Sequence, residues 1–230
     1  VADTSKLIVA NWKMNGDLLL LQEWLNELNV SHYQVVLCPP FPFLAPAKEH
    51  LHQIKIGAQD CHFEDKGAFT GFISSSMLKN VGCDYVIVGH SERRAFETDE
   101  DVGKKADAAM KVGLVPILCV GEPLNVRKEG NHINFVLNQL KNSLKNLPAN
   151  KEIIIAYEPL WAIGSGLTAE KKDIEEMHKA IKEVTHLPVL YGGSVKPDNA
   201  PIILNTPFVE GLLVGGASLN INDFNAILSV

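Results

Sequence analysis

Glu158 stands at the root of an unusually apolar stretch, Pro159-Leu160-Trp161-Ala162-Ile163-Gly164-Ser165-Gly166. An apolar tip between a proline and glycines suits a lid that closes on a substrate and expels water. A carboxylate at its hinge suits a general base. The plainer alternative is a rim-packed loop with a solvated carboxylate. His90 opens the polar run Ser91-Glu92-Arg93-Arg94. A helix beginning there would disfavour an imidazolium through its dipole, leaving a neutral imidazole to act as electrophile or proton shuttle. A lone histidine is, however, more often structural. Lys13, two residues beyond Asn11, reads either as a partner for an oxyanion or for Glu92, or as a surface cation. Gly192-Gly193-Ser194 and Gly215-Gly216 are either tight turns or phosphate cradles, since glycine lets backbone N–H groups approach an anion.

These residues follow a repeating set of short apolar runs: Leu7–Ala10, Val35–Cys38, Ile54–Ala58, Tyr85–Val88, Val115–Cys119, Ile153–Tyr157, Pro188–Tyr191 and Leu212–Val214. Most are continuous and rich in valine and isoleucine, as in parallel strands buried on both faces. Between them, Leu18 to Leu28, Asp101 to Val112, Asn134 to Leu147, Ala169 to Val184 and Asn222 to Leu228 carry apolar residues on one helical side. Eight strands alternating with helices leave a closed (β/α)8 barrel or a doubly wound open sheet. Asn11-Trp12-Lys13 follows the first strand where a dinucleotide fold would place its glycine fingerprint, which favours the barrel. In a barrel the chemistry sits at the C-terminal strand ends. Those ends carry Asn11 and Lys13, Gln59, His90 and Glu92, Gly121-Glu122, Glu158, and the two glycine loops.

The length of 230 residues suits one domain spanning 1–230. With 46% apolar residues, 21% charged residues and a net charge of −6, a broad basic surface for nucleic acid or anionic membrane is not supported. The longest apolar runs are Leu18–Leu21 and Ile153–Tyr157, far below the roughly 20 residues of a spanning helix. Val1 to Lys6 has no basic leader followed by an apolar core, so a cytoplasmic setting is expected. Cys38, Cys61, Cys83 and Cys119 form no paired framework, which fits reduced thiols. Asn29-Val30-Ser31 matches a glycosylation acceptor but carries little weight without a secretion signal. Cys61-His62 lacks further ligands at suitable spacing, so no metal is expected.

Six segments in order resemble the triosephosphate isomerase family. They are Asn11 to Gly16, Gly67-Ala68-Phe69-Thr70-Gly71, Gly89 to Arg94, Ala156 to Gly164, Tyr191 to Ser194, and Val214 to Leu219. The resemblance covers nearly the whole chain and implies a (β/α)8 barrel, no cofactor, and interconversion of dihydroxyacetone phosphate with D-glyceraldehyde 3-phosphate. It implies Glu158 as the base, neutral His90 as the electrophile and shuttle, and Lys13 as the stabiliser of developing charge. Asn11 would place the substrate and Glu92 would organise Lys13. Backbone N–H groups of Gly164, Ser194, Gly215 and Gly216 would hold the phosphate, and Tyr191 with Ser194 would bond the closed lid. A homodimer through loop 67–76 is implied too, with Thr70 reaching the partner's Asn11. Departures are a shorter chain, trimmed after strand one and after Arg94, Phe72 in place of the usual acidic residue, and Ser165 and Leu167 at the lid's end. Two rival readings remain. A Schiff-base aldolase needs a desolvated lysine late in a barrel strand, and Lys55 is the strand lysine here. A non-catalytic phosphate-binding protein would have little reason to keep Glu158, His90 and Lys13 together.

Overall fold

The computed structural model describes residues 6–29, 32–148, 152–163 and 168–230. Expectations placed on Gly164, Ser165 and Leu167, and on Val30-Ser31 of the acceptor motif, lie outside these residues. Eight parallel strands close into a ring in sequence order, with β1 (Leu7–Asn11) hydrogen-bonded to both β2 (Gln34–Cys38) and β8 (Gly211–Val214). Between them run β3 (Lys55–Ala58), β4 (Tyr85–Val88), β5 (Val115–Val120), β6 (Ile154–Tyr157) and β7 (Val189–Tyr191). The closed ring sets aside the open-sheet alternative.

Nine α-helices are described: α1 (Leu18–Glu27), α2 (Leu44–His50), α3 (Ser75–Val81), α4 (Asp99–Lys111), α5 (Leu124–Lys128), α6 (His132–Leu144), α7 (Lys171–Val184), α8 (Ala200–Leu204) and α9 (Ile221–Leu228). Starts are set by local chemistry. Asp17 accepts from the Leu20 N–H at 2.9 Å and begins α1. At α4, Thr98 Oγ1 accepts from Asp101 N and Asp101 Oδ2 accepts from Thr98 N, a reciprocal cap that starts the helix two residues earlier than its apolar pattern implied.

The strands are buried on both faces, which is why they read as continuous apolar runs. Leu7, Val9, Val36, Cys38, Ile87, Ile117, Cys119, Ala156, Leu190 and Leu213 fill the barrel interior. The alternate positions, such as Ile8, Ala10, Val86, Leu118 and Leu212, face outward into the helix layer with Trp24, Ile181 and Phe224. Each fully buried Val, Leu or Ile contributes about 1.5–3 kcal/mol, so both layers carry the fold. The lysine raised by the aldolase reading, Lys55, opens β3 with an exposed side chain 3.5 Å from Asp84, not inside the barrel.

Alternation also addresses the rim. The next inward positions after the interior residues are Asn11, Gln59, Gly121, Glu158, Gly192 and Gly215. Two non-glycine residues among those described hold a positive φ, Lys13 at 54° and Phe208 at 66°. For a side-chain-bearing residue that conformation costs about 1–2 kcal/mol.

Candidate active site

A pocket of ≈ 430 Å³ opens at the C-terminal ends of the strands, and Asn11, Lys13, His90, Glu158, Ser194, Gly215 and Gly216 all line it. Glu92 does not line it but reaches it through Lys13, whose Nζ lies 2.7 Å from Glu92 Oε1. Lys13's strained backbone is held from both sides. Asn11 Oδ1 accepts from Lys13 N at 3.0 Å, and Gln59 Nε2 donates to Lys13 O at 2.8 Å and to Cys38 O at 2.9 Å. Strain at such a position persists only where neighbours over-determine it.

Strand alternation alone would point Gly89 inward. Gly89 instead takes φ 66°, and a Cβ there would lie 2.7 Å from Val102 Cγ1. That left-handed turn brings His90 to the pocket. The helix expected immediately after His90 is absent: residues 91–95 form turns and α4 starts only at Asp99. Arg94 ties this segment down, donating to Gly89 O at 2.9 Å and Cys119 O at 2.8 Å and pairing with Asp99 at 2.6 Å. A single hydrogen bond replaces the helix dipole. Glu92 N donates to His90 Nδ1 at 3.2 Å, and since an N–H can only donate, Nδ1 carries no proton. Glu92 Oε2, at 3.6 Å from Nδ1, is beyond hydrogen-bond reach. The ring proton therefore sits on Nε2 of a neutral imidazole.

That Nε2–H faces Glu158 Oε1 at 2.9 Å. Glu158 is only 2% exposed and its Oε2 accepts from Ser91 N at 2.9 Å. Base and electrophile thus satisfy each other until something enters between them. Gly192 makes room for this carboxylate, because a Cβ there would lie 3.1 Å from Glu158 Cγ. Beneath it, burial and the neighbouring Glu158 charge push the Cys119 thiol well above its usual range, which keeps it protonated. At the opposite wall, a Cβ on Gly216 would meet nothing within 4 Å and one on Gly215 only Lys13 Cε at 3.5 Å. These glycines face the open space of the pocket.

Glu122 is a residue whose role sequence reasoning missed, although it stood among the strand-end residues. It is fully buried behind the rim and one oxygen accepts from Tyr157 Oη at 3.1 Å, Trp161 Nε1 at 2.8 Å and Arg127 Nη1 at 3.3 Å. Arg127 also lies over the Trp161 ring at 4.7 Å and pairs with Asp173 at 2.7 Å. These contacts anchor the apolar stretch after Glu158. Its only sequence signal was a carboxylate beside Gly121 at a strand end. Tyr191 is buried, and its hydroxyl has no hydrogen-bond partner among the described residues. A second buried cluster braces the segment after β4. Asp60 contacts Lys105 at 2.7 Å and Arg93 at 2.8 Å, Glu97 also pairs with Lys105, and burial raises the Asp60 pKa. Among the described residues no group of three or more His, Cys, Asp or Glu is placed to hold a metal ion. No described helix is long and apolar enough to cross a membrane.

A buried carboxylate against a neutral imidazole, in one pocket with a lysine and two open glycines, is equipped to move protons within one small anionic molecule. The class so defined is a (β/α)8-barrel isomerase. A family profile described as triosephosphate isomerase matches residues 6–230. The chain is 42% identical to the triosephosphate isomerase of Alkaliphilus metalliredigens over 97% of its own length and 98% of the relative's. It is 43% identical to that of Mycoplasma capricolum subsp. capricolum with the same coverage. The crystal structure of triosephosphate isomerase from Bartonella henselae superposes with a TM-score of 0.89 at 41% identity, covering 96% of this chain and 97% of that one. The chain belongs to the triosephosphate isomerase family.

Proposed function

We propose that the chain interconverts dihydroxyacetone phosphate and D-glyceraldehyde 3-phosphate in glycolysis and gluconeogenesis, as one catalytic domain over residues 1–230 in the cytoplasm. The observation that carries this is the buried Glu158–His90 pair, 2.9 Å apart at the wall of the pocket, with the imidazole proton on Nε2.

A substrate carbonyl entering between them takes over the Nε2–H, freeing Glu158 Oε1. Glu158 removes a proton from the carbon next to the carbonyl, and the C–H electron pair becomes the C=C of an enediolate. His90 donates its Nε2 proton to the carbonyl oxygen and regains one from the neighbouring hydroxyl. Glu158 then returns its proton to the former carbonyl carbon, so atoms and charge balance. Lys13 stabilises the developing oxyanion, and its pairing with Glu92 fixes its direction. Asn11 places the substrate. Backbone N–H groups of Ser194, Gly215 and Gly216, with Gly164 of the lid, hold the phosphate.

Steady-state isomerisation of glyceraldehyde 3-phosphate tests this with Glu158→Gln beside the parent. The variant should lose about 10²–10⁴-fold in kcat, the usual share of a general base, with a smaller change in KM. An inactive parent, or a variant within tenfold of it, would overturn the reading.

The working unit is a homodimer through loop 67–76. Phe69 and Phe72 of that loop are half exposed, while Met14 and Phe96 on the loops after β1 and β4 are 94% and 85% exposed. Apolar side chains of this kind at one end of a barrel suit a second copy. Phe72, in place of the usual acidic residue, packs its ring on His62 of the same chain, with centroids 4.8 Å apart. Size-exclusion with light scattering at micromolar protein should give the dimer mass, and a monomer would refute it.

A further inference from the structure

At the opposite end of the barrel lies a second pocket, of ≈ 680 Å³, larger than the catalytic one. Its floor is apolar: Leu7 and Leu190 belong to the barrel's interior cluster, with Ile154 packed against it. Phe208 lines it, and Phe208 is one of the two strained non-glycine residues among those described; the other, Lys13, serves the catalytic pocket. Glycine, asparagine and aspartate take positive φ at little cost, whereas a bulky aromatic does not. Phe208 is not consumed by the core either, the residue being 43% exposed. A half-exposed aromatic lining an apolar cavity can serve as a stacking platform.

Polar groups around the cavity narrow the occupant. Tyr85 lines it and carries a hydroxyl that can donate. Lys6 spends two of its three N–H donors on Leu204 O at 2.5 Å and Val209 O at 2.6 Å, which leaves one. Lys6 and Glu210 are the charged residues of the lining and their formal charges cancel, so neither a phosphate nor a cation is favoured.

We propose that this cavity is a second small-molecule site, taking a neutral planar heteroaromatic of purine-base size. Such a molecule stacks on Phe208 and accepts hydrogen bonds from the Tyr85 hydroxyl and the Lys6 ammonium. The site is separate from the catalytic rim, so occupation and catalysis can be read independently.

Adenine is the probe, followed by isothermal titration calorimetry on the whole protein, with indole as a flat molecule lacking a ring acceptor. Adenine should bind saturably and stay bound in excess inorganic phosphate, and indole should bind severalfold more weakly. Phe208→Asn removes the platform and suits the left-handed backbone. It should weaken adenine about tenfold or more, the usual value of one stacked base, while raising Tm and leaving kcat unchanged. Tyr85→Phe should weaken adenine about fivefold, as for one hydrogen bond. No binding of adenine up to its solubility, displacement by phosphate, or equal binding of indole would overturn the proposal. So would a Phe208→Asn protein that binds as before. A Phe208→Asn protein of lower Tm would assign the ring to packing and overturn it equally.

Discussion

His178 offers a stability prediction whose size follows from its burial. It sits on α7 against the barrel, with ring centroids of Tyr157 and Tyr191 at 5.9 and 6.4 Å. Nδ1 lies 3.2 Å from Phe208 O, and Nε2 has no partner among the described residues. Burial lowers its pKa from 6.5 to about 4, the Phe208 carbonyl opposing only in part. The folded protein therefore keeps His178 neutral where the unfolded chain protonates it. Unfolding takes up a proton below pH 6.5, so stability falls with pH through the window from 6.5 down to about 4. The full loss is about 3 kcal/mol, and about 2 kcal/mol of it falls between pH 7 and pH 5. His178→Gln keeps an N–H for the Phe208 carbonyl and cannot titrate. Urea unfolding of both proteins at fixed concentration should find the parent ahead at pH 7. The gap should narrow by about 2 kcal/mol at pH 5. A gap unchanged to within about 0.5 kcal/mol would refute the reasoning, since every other titrating group is common to both.

Three substitutions extend this to the rim. Glu122→Gln removes the charge shared by Tyr157, Trp161 and Arg127; chemical unfolding should show a loss of about 1–3 kcal/mol, and kcat should change as the lid's anchor loosens. Gly192→Ala puts a Cβ 3.1 Å from Glu158 Cγ. It also comes 3.2 Å from the Tyr157 carbonyl, so Tm should fall modestly while displacement of the base lowers kcat by about 10–100-fold, as steady-state kinetics beside a melting curve would show. At Gly121 a Cβ would lie 1.7 Å from Glu158 O, so Gly121→Ala should destabilise by about 3 kcal/mol or more in urea unfolding.

The strands were legible because burial on both faces writes itself as unbroken apolar sequence; all eight runs coincide with strands to within a residue or two. The long helices were legible for the matching reason, a one-sided apolar pattern over several turns. By contrast α2, α3, α5 and α8 have only five to seven residues, with Pro46 inside α2 and Pro201 inside α8, too little chain for a period to emerge. At the rim, Asn11, Glu158 and the glycine loops could be read from their place after each strand. The setting of His90 could not, because it rests on Gly89's left-handed turn and on one backbone N–H, where the sequence suggested a helix dipole. Gln59 and Glu122 were visible as polar residues at strand ends. Their partners, Lys13 O in one case and Trp161 in the other, lie 46 and 39 residues away and are joined only by the closed ring.

Closure of that ring has a consequence for how the chain is made. The first strand is completed by the last: Lys6 is tied to Leu204, 198 residues on, Tyr33 Oη donates to Val230 O at 2.7 Å, and Asn225 donates to Glu27 O at 2.7 Å. A nascent chain emerging amino end first holds β1 with one neighbour missing until β8 has been translated. During that interval the unpaired edge of β1 and the advancing edge of the newest strand both stand open to other chains. These closing hydrogen bonds are also among the most distant in sequence, so the slowest loop closure waits for β8. The vulnerable period is thus set by the ribosome's pace over the last strands.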